Sequence, residues 1–202
     1  MFIITAGDSL TSGFPGFDPI EGGNEQSSYQ YWLKKYLIEK NIINVRIKNL
    51  GLPGIGSAEI IHRLKDFLSK TNEQVDLIIM NGGGNDWQEY EIDYDPTVKN
   101  LLSTVDIAQK YNIKVILSSI TPFGDDRTHK QLVEIRDIIS NKVKSLDDSD
   151  IAFFDWYGTV LDPESKKLNQ DYDSGDTEHL SIEGNKIIGE SLGKLIFDFL
   201  RN

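Results

Sequence analysis

Two apolar periodicities alternate along this chain, and that alternation constrains its fold more than any other feature. Short apolar runs fall at Phe2–Ala6, Ile43–Lys48, Val75–Met80, Ile113–Ser118 and Ile151–Phe154. Each is followed by a longer stretch with apolar residues three and four positions apart: Ser28–Lys40, Ser57–Lys70, Pro96–Tyr111, Thr128–Leu146 and Ser181–Leu200. The short runs suit extended strands, and the 3.6-residue spacing suits helices that bury one face. Val75–Met80 carries a continuous apolar core, the mark of a strand covered on both sides. Ile43, Val45 and Ile47 alternate instead. Ile60, Ile61, Leu64 and Leu68 form one helical stripe, with Ser57 the expected N-cap. Pro96 stands in the first turn of its helix, where a missing N–H costs nothing. The order β-α-β-α-β-α-β-α-β-α predicts a three-layer α/β/α sandwich on a five-stranded parallel sheet with right-handed crossovers. At 202 residues, one domain spanning 1–202 is expected.

Composition narrows the classes of function. The chain has no cysteine, which excludes a disulfide framework, a thiolate zinc site and a cysteine nucleophile. Its net charge of −11 repels nucleic acid and anionic membranes at long range. The 21 Lys and Arg residues form no cluster, so no phosphate-backbone footprint is present. No apolar run approaches the roughly 18–20 residues that a membrane span needs. The opening MFIITAGDS lacks the basic and apolar regions of a signal peptide, so a cytoplasmic protein is expected.

In parallel α/β sheets, ligands bind beyond the carboxyl ends of the strands. The loops expected there carry Gly7-Asp8-Ser9, then Asn49-Leu50-Gly51-Leu52-Pro53-Gly54, then Asn81-Gly82-Gly83-Gly84-Asn85-Asp86, and finally Asp176-Thr177-Glu178-His179. A serine hydroxyl needs an adjacent base to become a nucleophile. Of the three histidines, only His179 falls in one of these loops. Asp176, three residues earlier, could accept from the ring and set its tautomer. The N–H groups of Ser9 and Gly54 and the amide of Asn85 could hold an oxyanion.

These blocks resemble those of the GDSL/SGNH hydrolases. AGDSLTSG is similar to the family's nucleophile block, and NLGLPG to the block holding its oxyanion glycine. GGGND is similar to the block with its oxyanion asparagine, and DTEHLS to its Asp-x-x-His block. The four occur in the family's order and span nearly the whole chain. The resemblance implies a flavodoxin-like strand order 2-1-3-4-5. It also implies ester hydrolysis through an acyl-enzyme, with Ser9, Asp176 and His179 catalytic and Ser9, Gly54 and Asn85 forming the oxyanion hole. A small-molecule ester is then the partner, with acetylated sugars among the candidates, and neither cofactor nor metal is required. The second block continues Gly54-Ile55-Gly56, where the family often has an acidic residue and Thr, so Gly56 stands as the alternative donor.

Other readings of the same residues remain open at this level. Gly82-Gly83-Gly84 could cradle phosphate, but it lacks the P-loop Lys and the dinucleotide-binding spacing. Asp8, Asp86, Asp176 and His179 could hold a hard divalent metal, as in a phosphohydrolase, which would leave Ser9 and Asn85 unexplained. A non-catalytic carbohydrate- or ligand-binding module is the third possibility, though it would need no Ser-His-Asp set. Asp8 is expected to hold its loop by accepting backbone N–H bonds, and Asp86 to end its strand in an Asx turn. His62 is expected to be a packing or surface residue of a helix, and His129 to be solvent-exposed at a helix start. The acidic stretches Trp87–Asp95 and Asp171–Glu178 flank the site, and Trp87, Tyr90 and Tyr94 could offer it an apolar or sugar-stacking surface.

Overall fold

The computed structural model describes residues 1–86, 94–123 and 126–201. In chain order it contains β1 (Phe2–Ala6), a one-turn α1 (Ser9–Ser12), a two-residue hairpin of β2 (Phe17–Asp18) and β3 (Gly22–Gly23), and α2 (Tyr29–Glu39). β4 (Arg46–Asn49), α3 (Ser57–Lys70), β5 (Leu77–Met80), α4 (Tyr94–Tyr111) and β6 (Lys114–Ser118) follow. The chain ends with α5 (Asp126–Leu146), β7 (Ile151–Phe154), α6 (Trp156–Val160) and α7 (Ile182–Phe199). The main sheet is parallel throughout, in the order β4-β1-β5-β6-β7. Counting its strands along the chain, that is the expected order 2-1-3-4-5.

Side chains alternate across the sheet because successive Cβ atoms point to opposite faces. Ile4, Ala6, Ile78, Met80, Val115 and Leu117 pack against α3, α4 and α5. Ile3, Leu77, Ile79 and Ile116 pack against α2, α6 and α7. β1, β5 and β6 therefore each feed two cores, which is why β5 at the centre is apolar without interruption. On the second face, α7 lies unusually close to α2. A Cβ on Gly189 would meet the Tyr29 carbonyl oxygen at 2.5 Å, and one on Gly193 the Tyr36 ring at 2.6 Å. Glycine at these two positions is what permits the approach.

Some boundaries differ from the sequence expectation, each for a local reason. β4 begins at Arg46 instead of Ile43, because Asn44 adopts a left-handed φ of 61° and breaks the extended run. Ile43 is consequently 68% exposed, while Val45 is buried. The N-cap of α3 is Gly56, not Ser57. Ser57 is the first helical residue; its N–H donates to Asp86 Oδ1 at 2.6 Å, and its hydroxyl accepts from Asn100 Nδ2 at 2.8 Å. His129 is half-buried, not solvent-exposed, and its Nδ1 contacts the Tyr157 hydroxyl. His62 is an exposed residue of α3. Among the described residues no helix is long and apolar enough to cross a membrane.

Candidate active site

β1 ends in a turn that tolerates no side chain at its first position. A Cβ on Gly7 would lie 2.1 Å from Thr11 Oγ1 and 2.3 Å from the Asn81 carbonyl oxygen. Asp8 then caps α1, its carboxylate accepting from Leu10 N–H at 3.1 Å, a typical N-cap arrangement. Ser9 is thereby the first residue of α1, at the carboxyl edge of the sheet. Asp8 holds the loop as expected, and does so while buried.

The final block is shaped by a pair of aspartate turns. Asp173 Oδ1 accepts from Gly175 N–H (2.8 Å) and Thr177 N–H (3.0 Å). Asp176 Oδ1 accepts from Glu178 N–H (3.0 Å) and His179 N–H (2.8 Å). Gly175 and Thr177 both adopt left-handed backbone, and Ser181 caps α7 by accepting from Gly184 N–H at 3.1 Å. This folded loop brings Asp176 Oδ2 to 2.7 Å from His179 Nδ1, and His179 Nε2 to 2.9 Å from Ser9 Oγ. Residues 170 positions apart in the chain thus meet in one hydrogen-bonded line.

Electrostatics sets the direction of that line. Burial pushes the Asp176 carboxyl up. The N–H bonds from His179 and Glu178, the imidazole hydrogen bond and the imidazolium charge together outweigh it and hold the carboxyl at about 2. An ionised carboxylate only accepts. His179 Nδ1 must therefore donate to it, which leaves Nε2 to accept the Ser9 hydroxyl proton.

Asp8 behaves oppositely. Burial pushes its carboxyl up to about 6, against the Leu10 N–H bond and the attraction of His179. Because the folded-state value exceeds the ordinary 3.8, the folded chain binds a proton that the unfolded chain lacks between about pH 4 and 6. This group's contribution to stability therefore falls as pH rises through that window. Asp8→Asn keeps an acceptor for Leu10 N–H but cannot ionise. It is expected to stabilise the fold by about 2.5 kcal/mol more at pH 8 than at pH 4, read from urea unfolding at both pH values. An equal effect at the two pH values would contradict the buried-charge account.

The remaining candidate residues surround the same opening. A cleft of about 540 Å³ is bordered by Ser9, His179, Gly54, Asn85 and Asp8, with Phe14, Ile120 and Phe123 as apolar wall. That size suits a small ligand. Gly54 has a left-handed φ of 80° and open space where a side chain would stand. Gly56 does not border the cleft; it packs against Asp86, whose Oδ1 would lie 2.3 Å from a Cβ at that position. Asn85 Nδ2 donates to the Ile55 carbonyl at 3.1 Å, so one N–H of its amide is engaged, and among the described residues the other has no partner. The N–H groups that an Asx turn at Asp86 would use lie outside the described residues. The two Asp86 oxygens accept from Ser57 N–H and from Thr97 Oγ1 (both 2.6 Å), so Asp86 ties the start of α3 to α4 directly beside Asn85.

Among the described residues, no three histidine or acidic side chains gather as a metal-ion ligand set. Trp87 and Tyr90 lie outside the described residues, as do Glu89, Glu91, Asp93 and the side chain of Tyr94. Sequence reasoning missed Asp173 and Phe14. Asp173 had a signal, an aspartate two residues before Gly175 (Asp173-Ser174-Gly175), as in Asx turns. Phe14 had none, because its contact with His179 spans the length of the chain.

Solved structures share this architecture. A protein from Desulfitobacterium hafniense assigned to the lipolytic G-D-S-L family superposes with a TM-score of 0.76 at 20% identity, covering 96% of this chain and 98% of its own. The M. smegmatis aryl esterase superposes with a TM-score of 0.73 at 17% identity, covering 98% and 99%. The acetyl xylan esterase AlAXEase superposes with a TM-score of 0.70 at 23% identity, covering 97% and 100%. Among curated proteins no relative matches the chain. The sequence pattern of the GDSL-like lipase/acylhydrolase family matches residues 5–187, and on that match the chain belongs to this family.

Proposed function

We propose that this protein hydrolyses small carboxylic esters through an acyl-enzyme on Ser9. The observation that carries the reading is the Asp176–His179–Ser9 line, at 2.7 and 2.9 Å. Its polarity is the one that acyl transfer needs. His179 Nε2 takes the Ser9 proton as Oγ bonds to the ester carbonyl carbon, and the carbonyl π electrons move onto oxygen. Asp176 holds the ring and stabilises the imidazolium that forms. The N–H groups of Ser9 and Gly54 and the second N–H of the Asn85 amide receive the oxyanion. Collapse breaks the bond to the alcohol, which leaves with the His179 proton. Water, deprotonated by the same nitrogen, then attacks the acyl carbon and releases the acid.

The cleft supports a small neutral substrate. Asp8 and Glu178 border it, and among the described residues no Lys or Arg does. An anionic ester, such as an acyl-CoA, is therefore expected to turn over more slowly than a neutral one, with the gap narrowing as salt rises. Equal, salt-independent kcat/KM values for the two would contradict this. The likeness to an acetyl xylan esterase and an aryl esterase favours a short acyl group on a sugar or aryl alcohol.

The test is turnover of p-nitrophenyl acetate with and without EDTA. Hydrolysis undiminished by the chelator is expected. Inertness toward neutral esters, or dependence on a metal, would contradict the proposal. Asn85→Ala is expected to lower kcat by roughly 10²–10³ with the fold intact, because it removes one oxyanion donor. An unchanged kcat would remove Asn85 from the site.

A further inference from the structure

The imidazole of His179 is held by hydrogen bonds at only two points, Nδ1 and Nε2. Both lie in the ring plane. Those two bonds restrain the ring along its own plane but only weakly against displacement out of it, and an out-of-plane swing about Nδ1 carries Nε2 off the Ser9 hydroxyl. A third contact, out of that plane, is needed to stop it. Phe14 makes one, with its ring centroid 4.9 Å from that of His179 and the planes at 67°, an edge-to-face pair.

The placement of Phe14 follows from the nucleophile's own turn. Gly13 ends α1 in left-handed backbone, φ 99°, and reverses the chain. The Ser9 carbonyl then accepts from Gly13 N–H and Phe14 N–H, both at 3.1 Å. Ser12 Oγ donates to the same carbonyl at 2.8 Å and lies 3.3 Å from Phe14 N. The segment carrying the serine therefore also carries the ring that meets the histidine. Phe14 stays 42% exposed, a poor position for a residue whose service is to the core, and it forms part of the cleft wall.

We propose that Phe14 is a positioning residue. It fixes the tilt of the His179 imidazole toward Ser9 and shields the hydrogen bond between them from water. The proposal rests on the esterase reading above. Its test compares wild type, Phe14→Ala and Phe14→Tyr by kcat and KM on p-nitrophenyl acetate, and by the downfield proton resonance of the Nδ1–H shared with Asp176. Phe14→Ala is expected to lower kcat about tenfold at nearly constant KM and to broaden that resonance, with the thermal midpoint unchanged. Phe14→Tyr restores the flat ring and is expected to restore both. A rise in KM alone would make Phe14 a substrate wall only and overturn the proposal, as would a sharp, unshifted resonance in Phe14→Ala. The resonance is read without turnover. Failure of the wild type to cleave esters would therefore count against the esterase reading, and an unchanged resonance against Phe14.

Discussion

Replacing Ser9 with alanine is expected to lower kcat for p-nitrophenyl acetate by about 10⁵–10⁶ while leaving thermal unfolding unchanged. The size follows from what the hydroxyl does. In the proposed mechanism its oxygen forms the bond to the acyl carbon, and among the described residues no other group stands at hydrogen-bond distance from His179 Nε2. The stability expectation follows from what the backbone does. The Ser9 carbonyl receives Gly13, Phe14 and Ser12, and alanine keeps that carbonyl and the helical start. The residual rate should still exceed that in water, since the oxyanion donors and the cleft remain. A variant retaining a tenth of wild-type kcat would show that Ser9 is not the nucleophile.

Asp176→Asn should cost nearly as much, about 10⁴ in kcat by analogy with the serine-protease triad. The amide oxygen can still accept from Glu178 and His179 N–H, as Oδ1 does now. The loop should therefore hold its shape. The amide NH₂ then faces Nδ1 and favours the tautomer with the proton on Nε2. That nitrogen can no longer accept from Ser9, and the imidazolium loses its counter-charge. Kinetics on a neutral ester, together with near-ultraviolet circular dichroism to check the fold, would measure this. A loss below tenfold would mean that Asp176 neither sets the tautomer nor stabilises the charged ring.

The fold was legible because its signals are local and repeated. Strands covered on both faces are apolar throughout, as Leu77–Met80 is, and amphipathic helices announce their ends, as Ser181 does for α7. What escaped detection was too short to carry a period, or was fixed by backbone geometry. The five residues of α6 and the two-residue strands β2 and β3 show no repeat. Ile43 fits a strand pattern that Asn44 interrupts by turning left-handed. At the site, the sequence placed four blocks at the carboxyl ends of strands, and the topology then assembled them around one cleft. The distances between them, the engagement of Asp86 with Ser57 and Thr97, and the ring of Phe14 on His179 join residues far apart in sequence. Spacing along a chain carries no record of such contacts.

The central claim is that Ser9 is an activated nucleophile, and covalent trapping addresses it most directly. A fluorophosphonate offers phosphorus to the nucleophile and releases fluoride, so the adduct marks the attacking oxygen without need of the natural substrate. Peptide mass spectrometry after labelling is expected to find one phosphonyl group per chain, on Ser9, and none when His179 is replaced by alanine. Labelling at another serine such as Ser12, or labelling that survives the loss of His179, would contradict the account.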